Sequence, residues 1–364
     1  MKIKEIIQYL ETLAPPELQE SYDNAGLITG DPEREVFSAL VTLDVTESVV
    51  DEAINKNSGL IIAHHPVIFS PLKKLTGKNH VERTIIKAVK KDIAIFAAHT
   101  NLDAMPGGVN AKLCEKLDLR DCKILQPLKN RLLKLVTFIP VDNFTKVRKA
   151  IFSAGAGNIG NYDNCGYSLE GFGTFRGNQK SNPYIGQKGK IHSEKEVRFE
   201  TIFPSWQQGK VISALLNSHP YEEPAYDIYP LENCLETTGM GMVGTLPRAF
   251  TEKEFLSSLK KIFRAGCIRH TMLTGKSVKK VTICGGSGGS LLKDAISAKA
   301  DVFVSADFKY HQFFDADNKI MIADIGHFES EQFTKELFIE LLTKKFPKFA
   351  VRFSEVNTNP IFYF

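Results

Sequence analysis

The stretch Leu60-Ile61-Ile62-Ala63-His64-His65-Pro66 places two histidines at the end of a short apolar run. Two later runs share this pattern. Residues 93–98 are apolar and lead into His99, and residues 320–325 are mainly apolar and precede His327. Short apolar runs rich in β-branched residues are typical of buried parallel strands. We therefore predict an α/β fold in which polar side chains gather where the strands end, which is where open α/β sheets bind ligands.

Helix and strand patterns alternate in the first and last parts of the chain. Helices are predicted at residues 3–14, 46–55 and 80–91, and strands at residues 36–44, 278–284, 301–305 and 319–324. Thr46 is the expected N-cap of the second helix. Alternation of this kind predicts mainly parallel sheets that are flanked by helices.

The middle of the chain has a different order of elements. It reads strand, helix, strand, strand, helix, strand, at residues 132–139, 143–154, 167–175, 195–203, 205–217 and 225–230. This βαββαβ order is that of the ferredoxin-like split motif. Because candidate ligands lie on both sides of it, we predict that residues 128–235 form an inserted domain. Residues 1–127 and 236–364 would then form one discontinuous domain.

The composition is that of an ordinary globular protein, with 43% hydrophobic and 24% charged residues and a formal net charge of +4. No basic, aromatic-rich cluster indicates nucleic-acid binding. No stretch approaches the ~20 apolar residues of a membrane span. The six cysteines include no C-x-x-C pair, which argues against a disulfide framework and a thiolate zinc site. We expect a reduced, cytoplasmic protein without nucleic-acid or membrane partners, in which nitrogen and oxygen atoms hold any metal.

Five side chains at predicted strand ends are candidate metal ligands. They are three imidazoles and two carboxylates: His64, His65, His327, Asp103 and Glu331. A single catalytic zinc usually needs only three protein ligands and a water, so this set favours two divalent ions. A pair of ions about 3.5–4 Å apart can activate water and stabilise a leaving oxygen. Mixed histidine and carboxylate ligands suit zinc, iron, manganese or cobalt alike.

The backbone leaves two arrangements open for the adjacent histidines. Successive side chains on a strand point to opposite faces, and Pro66 disfavours a helix at this point. Either one of His64 and His65 is structural, or the strand has ended and the two imidazoles approach different ions. His327 and Glu331, four residues apart, would share one face of a helix and could share an ion.

Further polar residues occupy the same predicted edge. His99 and His311 are candidates for proton transfer. Asp44, Asp307 and Asp324 are candidates for holding the imidazoles in place. The alternative for all five is that they cap helices and satisfy amides at strand ends.

The glycine-rich run Gly285-Gly286-Ser287-Gly288 joins a predicted strand to a helix. Free amides at the start of a helix can bind a phosphate, so the run is a possible anion-binding loop. It lacks the lysine of a P-loop and does not match G-x-G-x-x-G, so it indicates neither ATP nor NAD binding. A flexible tight turn explains it equally well.

Several motifs, in this order, resemble the Nif-three-like family, also known as dinuclear metal centre hexameric proteins or GTP cyclohydrolase 1 type 2 homologues. The matching segments are YDNAGL at 22–27, TLD at 42–44, AHHP at 63–66, HTNLD at 99–103, GGSG at 285–288, SAD at 305–307 with His311, and DIGH at 324–327 with Glu331. Tyr22 stands where tryptophan is frequent in the family.

The resemblance implies that His64, His65, Asp103, His327 and Glu331 hold two divalent ions per chain, with a carboxylate bridging them. It also implies a homohexameric toroid with its metal sites facing the interior. In the longer bacterial members a PII-like or cation-tolerance-like insert covers the opening of the ring, and residues 131–232 resemble that insert.

The sequence leaves three functions open. The leading hypothesis is a metal-dependent hydrolase that acts on a nucleotide or another small anionic substrate, which the family name connects with the purine ring of GTP. The second is a non-catalytic, metal-stabilised hexameric regulatory or scaffold protein whose insert senses a small molecule. The third is metal storage or delivery.

Overall fold

The computed structural model describes all 364 residues, which form two compact units. One unit comprises Met1–Gln126 together with Thr237–Phe364, and the other comprises Pro127–Glu236. We call them the discontinuous unit and the central unit. None of the helices has the length and apolar character needed to cross a membrane.

The chain forms fifteen strands and eleven α-helices. The strands are β1 (Gly26–Thr29), β2 (Ser38–Thr42), β3 (Leu60–Ala63), β4 (Ala94–Ala97), β5 (Arg120–Leu128), β6 (Leu132–Pro140), β7 (Tyr167–Phe175), β8 (His192–Pro204), β9 (Tyr226–Leu231), β10 (Leu235–Thr251), β11 (Arg269–His270), β12 (Ser277–Ser287), β13 (Val302–Ala306), β14 (Met321–Asp324) and β15 (Ala350–Phe353). The α-helices are α1 (Ile3–Leu13), α2 (Glu47–Asn55), α3 (His80–Lys90), α4 (Thr100–Ala104), α5 (Val109–Lys116), α6 (Phe144–Ser153), α7 (Gln208–Ser218), α8 (Glu252–Ile262), α9 (Leu292–Ser297), α10 (His327–Glu331) and α11 (Thr334–Lys345). Short 3₁₀ helices occur at Pro16–Leu18, Val141–Asn143, Ser205–Gln207, Gly289–Leu291 and Tyr310–Ala316.

The first sheet of the discontinuous unit has the strand order β1-β4-β3-β2-β15. Its four strands β4, β3, β2 and β15 are parallel, and β1 adds an antiparallel edge. Every residue of β2, β3 and β4 is buried. Ile61 and Ile95 pack against Val49 of α2 and Ile85 of α3. Strands β3 and β4 are apolar throughout, and β2 is apolar between Ser38 and Thr42, because both of their faces are covered.

The second sheet has the order β11-β14-β13-β12-β10-β5. Strands β12, β13 and β14 are parallel, whereas β10 and β11 pair antiparallel with their neighbours. The sequence indicated the parallel centre but not these outer strands. In β10, Gly239, Gly241, Gly244 and Pro247 interrupt the apolar pattern, and β11 has only two residues.

The central unit contains the elements β6, α6, β7, β8, α7 and β9 in chain order. They build one antiparallel sheet with the order β7-β8-β6-β9. Leu135 and Phe199 of the sheet pack against Val147 of α6 and Leu215 of α7. This core shares no residue with the core of the first sheet, so each unit buries its own apolar residues.

Candidate metal centre

The two adjacent histidines lie just beyond a strand rather than within it. Strand β3 ends at Ala63, and the amides of His64 and His65 both donate to the carbonyl oxygen of Leu43, at 3.2 and 3.0 Å. The strict alternation of side chains therefore no longer applies. The two imidazole rings lie on one side, with their centroids 4.9 Å apart. The sequence left open whether the strand has ended before these two histidines, and the structure shows that it has.

Glu331 lies between the imidazoles and is only 2% exposed. Its Oε2 atom is 2.9 Å from His65 Nε2 and 3.0 Å from His327 Nε2. Its Oε1 atom is 3.7 Å from His64 Nε2. His327 and Glu331 reach the same point because they are four residues apart on α10, as predicted. The two carboxylate oxygens thus face different imidazoles.

Two buried polar atoms in the cluster, His64 Nε2 and Asp103 Oδ1, have no hydrogen-bond partner. His64 Nε2 and Asp103 Oδ1 are 3.7 Å apart, too far for a hydrogen bond. Buried polar atoms are rarely left unpaired. The donor atoms of His65, His327 and Glu331 lie within 4.8 Å of one another, as do those of His64, His65 and His99. This buried histidine and glutamate group could hold a metal ion.

The far side of each imidazole is held by an oxygen atom. The contacts are His64 Nδ1 to the Ala98 carbonyl (2.9 Å), His65 Nδ1 to Asp44 (2.8 Å) and His327 Nδ1 to Asp307 (2.6 Å). With Nδ1 as the donor in each contact, all three Nε2 atoms point into the cluster. Such outer contacts orient histidine ligands and raise their basicity. Asp44 and Asp307 therefore lie where they can hold the imidazoles in place, which is one of the two roles predicted for them.

His99 borders the cluster but is held from a different direction. Its ring centroid is 5.2 Å from that of His64 and 5.3 Å from that of His65. Its Nδ1 atom is 2.8 Å from Asp23 Oδ1, and the other oxygen of Asp23 accepts from the amide (3.0 Å) and hydroxyl (2.5 Å) of Thr100. Burial raises the pKa of Asp23, but the hydrogen bonds from His99 and Thr100 outweigh it and lower the pKa to about 2.

Two residues of the predicted edge are not part of the cluster. His311 is exposed and contacts the ring of Tyr310 edge-to-face, with ring centroids 5.2 Å apart. Asp324 is buried, and its carboxylate binds Arg269 and the amides of Phe308 (3.1 Å) and Gly326 (3.2 Å). Asp324 thus has the alternative role, that of satisfying groups at a strand end.

The glycine-rich run has amides that are already occupied. Gly285 donates to Asn110 Oδ1 (3.0 Å), Gly286 to Ser330 Oγ (2.9 Å) and Gly288 to Ser305 Oγ (3.0 Å). These three amides of the possible anion-binding loop are therefore not free for an anion. Gly286 instead leaves room for Glu331, because a Cβ atom there would lie 2.3 Å from Glu331 Oε1.

Sequence reasoning missed two polar groups next to the cluster. One is Asp23, which holds His99. The other is Thr358 near the end of the chain, whose hydroxyl donates to Asp44 Oδ2 at 2.7 Å. Asn359 beside it donates to Glu329 Oε1 at 3.2 Å. The short polar run at 357–359 gives no sign of the contact with Asp44, because Thr358 and Asp44 lie 314 residues apart in the sequence.

A cavity of about 930 Å³ opens next to the cluster. His65, His99, Asp103, His327 and Glu331 line its polar side. Its other walls are mostly apolar and include Val67, Phe69, Leu72, Met240, Phe328 and Ile361. A volume of this order accommodates a small organic molecule of nucleotide size.

Protons on the imidazoles balance the negative charge of the carboxylates in the cluster. Burial disfavours the charged form of His65 and of His327, but their carboxylate partners overcome it. The pKa of His65 is raised to about 9 by Asp44 and Glu331, and that of His327 to about 11 by Asp307 and Glu331. Burial lowers the pKa of His64 to about 4. Burial and the neighbouring Glu331 raise the pKa of Asp103 well above its usual range.

We expect the metal-free protein to lose stability as the pH rises above neutrality. The folded-state pKa values of His65 and His327 exceed the value of about 6.5 for an unfolded chain. Their contribution is therefore complete below pH ~6.5 and is lost as the pH rises through about 9 for His65. The free energy of unfolding should fall by at least about 2 kcal/mol between pH ~7 and ~9. Urea unfolding measures this change. Circular dichroism is the suitable probe, because the single tryptophan, Trp206, lies in the central unit and its fluorescence would not report on the unit that contains the cluster.

Metal loading should have the opposite pH dependence. An imidazole must be neutral to bind a metal ion, so loading near pH ~7 should release about two protons per chain. A pH indicator in weakly buffered solution measures this release. If loading released no protons, His65 and His327 would not be ligands.

The whole chain resembles one protein family in sequence. Residues 1–360 match the sequence model of the family described as Duf34/NIF3 (NGG1p interacting factor 3). Two relatives named GTP cyclohydrolase 1 type 2 homolog come from Halalkalibacterium halodurans and Bacillus subtilis. The first is 40% identical over 360 residues, covering 98% of this chain and 97% of the relative. The second is 41% identical over 363 residues, with the same coverage.

Solved structures show the same likeness. A Bacillus cereus protein related to NIF3 has a TM-score of 0.87 and 38% sequence identity, and the match covers 100% of this chain and 99% of that protein. A Staphylococcus aureus protein has a TM-score of 0.79 and 29% identity, with the same coverage. The likeness therefore extends over both compact units.

Proposed function

We propose that this chain, which belongs to the Duf34/NIF3 family, is a hydrolase that binds two divalent metal ions and acts on a nucleotide or another small anionic substrate. The observation that carries the proposal is the position of Glu331. One of its oxygens lies near His65 and His327, and the other lies on the side of His64 and Asp103. This arrangement favours a carboxylate that bridges two ions over a single-ion site.

The donor set fits such a pair. His65 and His327 would hold one ion, His64 and Asp103 the other, and Glu331 would bind both. The unpartnered buried atoms His64 Nε2 and Asp103 Oδ1 would then gain the partners they lack. When bound, the two ions would supply Lewis acidity that lowers the pKa of water and stabilises negative charge on a leaving oxygen.

The side chains around the cluster would provide substrate selection and proton transfer. Two divalent ions bring more positive charge than Asp103 and Glu331 cancel, so the cavity would attract an anion. The apolar residues Phe69, Met240 and Phe328 would cover the uncharged part of the substrate and exclude water. His99, held by Asp23 at Nδ1, would exchange a proton through Nε2. The name shared by the relatives makes GTP the first substrate to test.

A regulatory or scaffold protein is the second candidate, and one observation favours it. The central unit contains a cavity of its own, of about 610 Å³, formed without any residue of the metal cluster. In this candidate the metal ions stabilise the assembly, and the central unit senses a small molecule.

Two further features belong to the proposal. The first is that the central unit is an inserted ferredoxin-like domain of the PII-like kind, supported by its element order and its strand order. The second is that six chains form a toroid. Light scattering of the purified protein measures the number of chains.

The test is the metal content of untagged protein that has been purified without chelators. We expect about two ions per chain by elemental analysis, and hydrolysis of GTP or another phosphate-bearing substrate by the loaded protein. A content of one ion per chain would defeat the two-ion mechanism. If none bound after reconstitution near pH ~7, the metal hypothesis as a whole would fail.

Chelation separates the two candidate functions. An enzyme should lose activity while its assembly, measured by light scattering, stays intact. A structural metal site should lose its assembly when the ions are removed. Loss of assembly, together with no turnover on a panel of phosphate esters and nucleotides, would favour the scaffold.

A further inference from the structure

The central unit has a cavity of about 610 Å³ with aromatic walls. Five aromatic residues line it: Phe138, Phe172, Phe175, Tyr184 and Tyr221. The Tyr221 ring centroid is 5.7 Å from that of Phe175 and 6.3 Å from that of Tyr184, with both pairs tilted. Phe172 and Tyr184 are 77% and 60% exposed. The cavity thus presents ring surfaces that no side chain of this unit covers.

A buried carboxylate lies at the base of these rings. Glu196 is 7% exposed, and its Oε1 atom accepts a hydrogen bond from the Tyr221 hydroxyl at 2.8 Å. No lysine, arginine or histidine nitrogen lies within salt-bridge distance of it. The nearby cations have other partners, since Arg198 pairs with Glu200 (2.9 Å) and Lys195 pairs with Glu170 (2.7 Å). A buried charge is ordinarily paired, so Glu196 lacks a counterion.

The second carboxylate oxygen of Glu196 faces a glycine. A Cβ atom at Gly173 would lie 2.1 Å from Glu196 Oε2, so only glycine leaves room for the carboxylate in this position. Gly173 itself lines the cavity. The structure therefore keeps an open approach to an unpaired carboxylate oxygen.

The side chains around the cavity carry an excess of negative charge. Glu222 and Glu223 also line it, and neither forms a salt bridge. Arg176 is the one lining cation without an acidic partner. An anionic ligand would meet this excess of carboxylates, and a purely apolar ligand would bury Glu196 without compensating its charge.

We propose that this cavity binds a small organic cation, with its ammonium group between the aromatic rings and against Glu196. Ring faces attract cations through their quadrupoles, and a desolvated ammonium ion gains more from this attraction than an exposed one. A carboxylate at the base then supplies the opposite charge. The site is independent of the metal centre and of the hydrolase proposal.

The experiment uses the full-length protein and ligand-observed NMR titration. The probes are choline, a quaternary ammonium ion, and cadaverine, a primary diamine, each up to about 10 mM. The control ligand is 3,3-dimethylbutan-1-ol, the uncharged isostere of choline. We expect at least one cation to bind saturably, and the isostere to bind at least roughly tenfold more weakly than choline if choline is that cation.

The matched variants are Glu196→Gln and Glu232→Gln. The first should weaken cation binding at least roughly tenfold. The second makes the same chemical change at an exposed carboxylate of the same unit that does not line the cavity, and it should change binding by less than about twofold. Fluorescence of Trp206, which lies in the same unit, checks that both variants are folded. If Glu196→Gln fails to fold, Tyr184→Ala replaces it, because Tyr184 is exposed and its ring lines the cavity.

Three results would overturn the proposal. One is the failure of both cations to bind the wild-type protein, which would leave the aromatic wall as a contact surface for another protein or a second copy of this chain. The second is equal binding of the uncharged isostere, which would identify an apolar site. The third is binding that neither Glu196→Gln nor Tyr184→Ala weakens, which would place the cation elsewhere.

Discussion

Replacing Glu331 with glutamine is expected to remove bound metal and abolish turnover while the chain stays folded. The substitution keeps the size of the side chain but removes its negative charge and one of its two acceptor oxygens. Since these oxygens face His65 and His327 on one side and His64 on the other, both proposed ion positions lose a ligand. The metal affinity should fall by at least about 100-fold, because even outer contacts to a metal ligand are worth 10–100-fold.

The measurement is metal competition against a chelating indicator, together with elemental analysis. Glu336→Gln is the matched control, because it makes the same chemical change five residues away, at a carboxylate that pairs with Lys116 at the surface. Wild-type metal content and turnover are expected for the control. A Glu331→Gln protein that retained two ions and full turnover would contradict the assignment of Glu331 as the bridging ligand.

Replacing Gly286 with alanine should have the second large effect. Gly286 has φ = +60°, and a Cβ atom there would lie 2.3 Å from Glu331 Oε1 and 3.3 Å from His327 Cε1. The left-handed backbone alone costs about 1–2 kcal/mol for a residue with a side chain. The clash must also displace Glu331, so we expect a loss of about 2–4 kcal/mol in the free energy of unfolding and a loss of bound metal.

Gly107→Ala separates the two contributions. Gly107 has a similar φ of +72°, but a Cβ atom there would meet nothing within 4 Å. Chemical unfolding of both metal-free variants should show the larger loss for Gly286→Ala, and only this variant should lose metal. Equal losses of stability, with metal content unchanged in both, would show that Gly286 is needed only for its backbone conformation.

The parallel centres of both sheets were predictable because burial on two faces imposes a simple pattern. Ala39, Ile61 and Ile95 lie in strands that are buried at every position, and such runs are visible in the sequence without any knowledge of their neighbours. The outer strands lack this signal, since β10 is half exposed and contains several glycines. Their existence depends on pairing with strands that are distant in the sequence.

The residues of the candidate site also divide into those with a local sequence signal and those without one. His64, His65, His327 and Glu331 were predictable because each directly follows a buried strand or lies one helical turn further along. Asp324 has the same local pattern but faces Arg269, fifty-five residues away in the sequence. Asp23 and Thr358 were missed because no local pattern marks them. Their partners, His99 and Asp44, are remote, and a hydrogen bond between remote residues leaves no local signature.

The last strand and the segment after it determine when the centre can form during protein synthesis. β15 is the partner of β2 in the first sheet, and Thr358 holds the carboxylate that orients His65. A growing chain that has left the ribosome only as far as α5 contains His64, His65 and Asp103 but neither His327 nor Glu331. Chains fold from the N-terminus as they are made, so the first sheet can begin to form before these two members of the cluster exist.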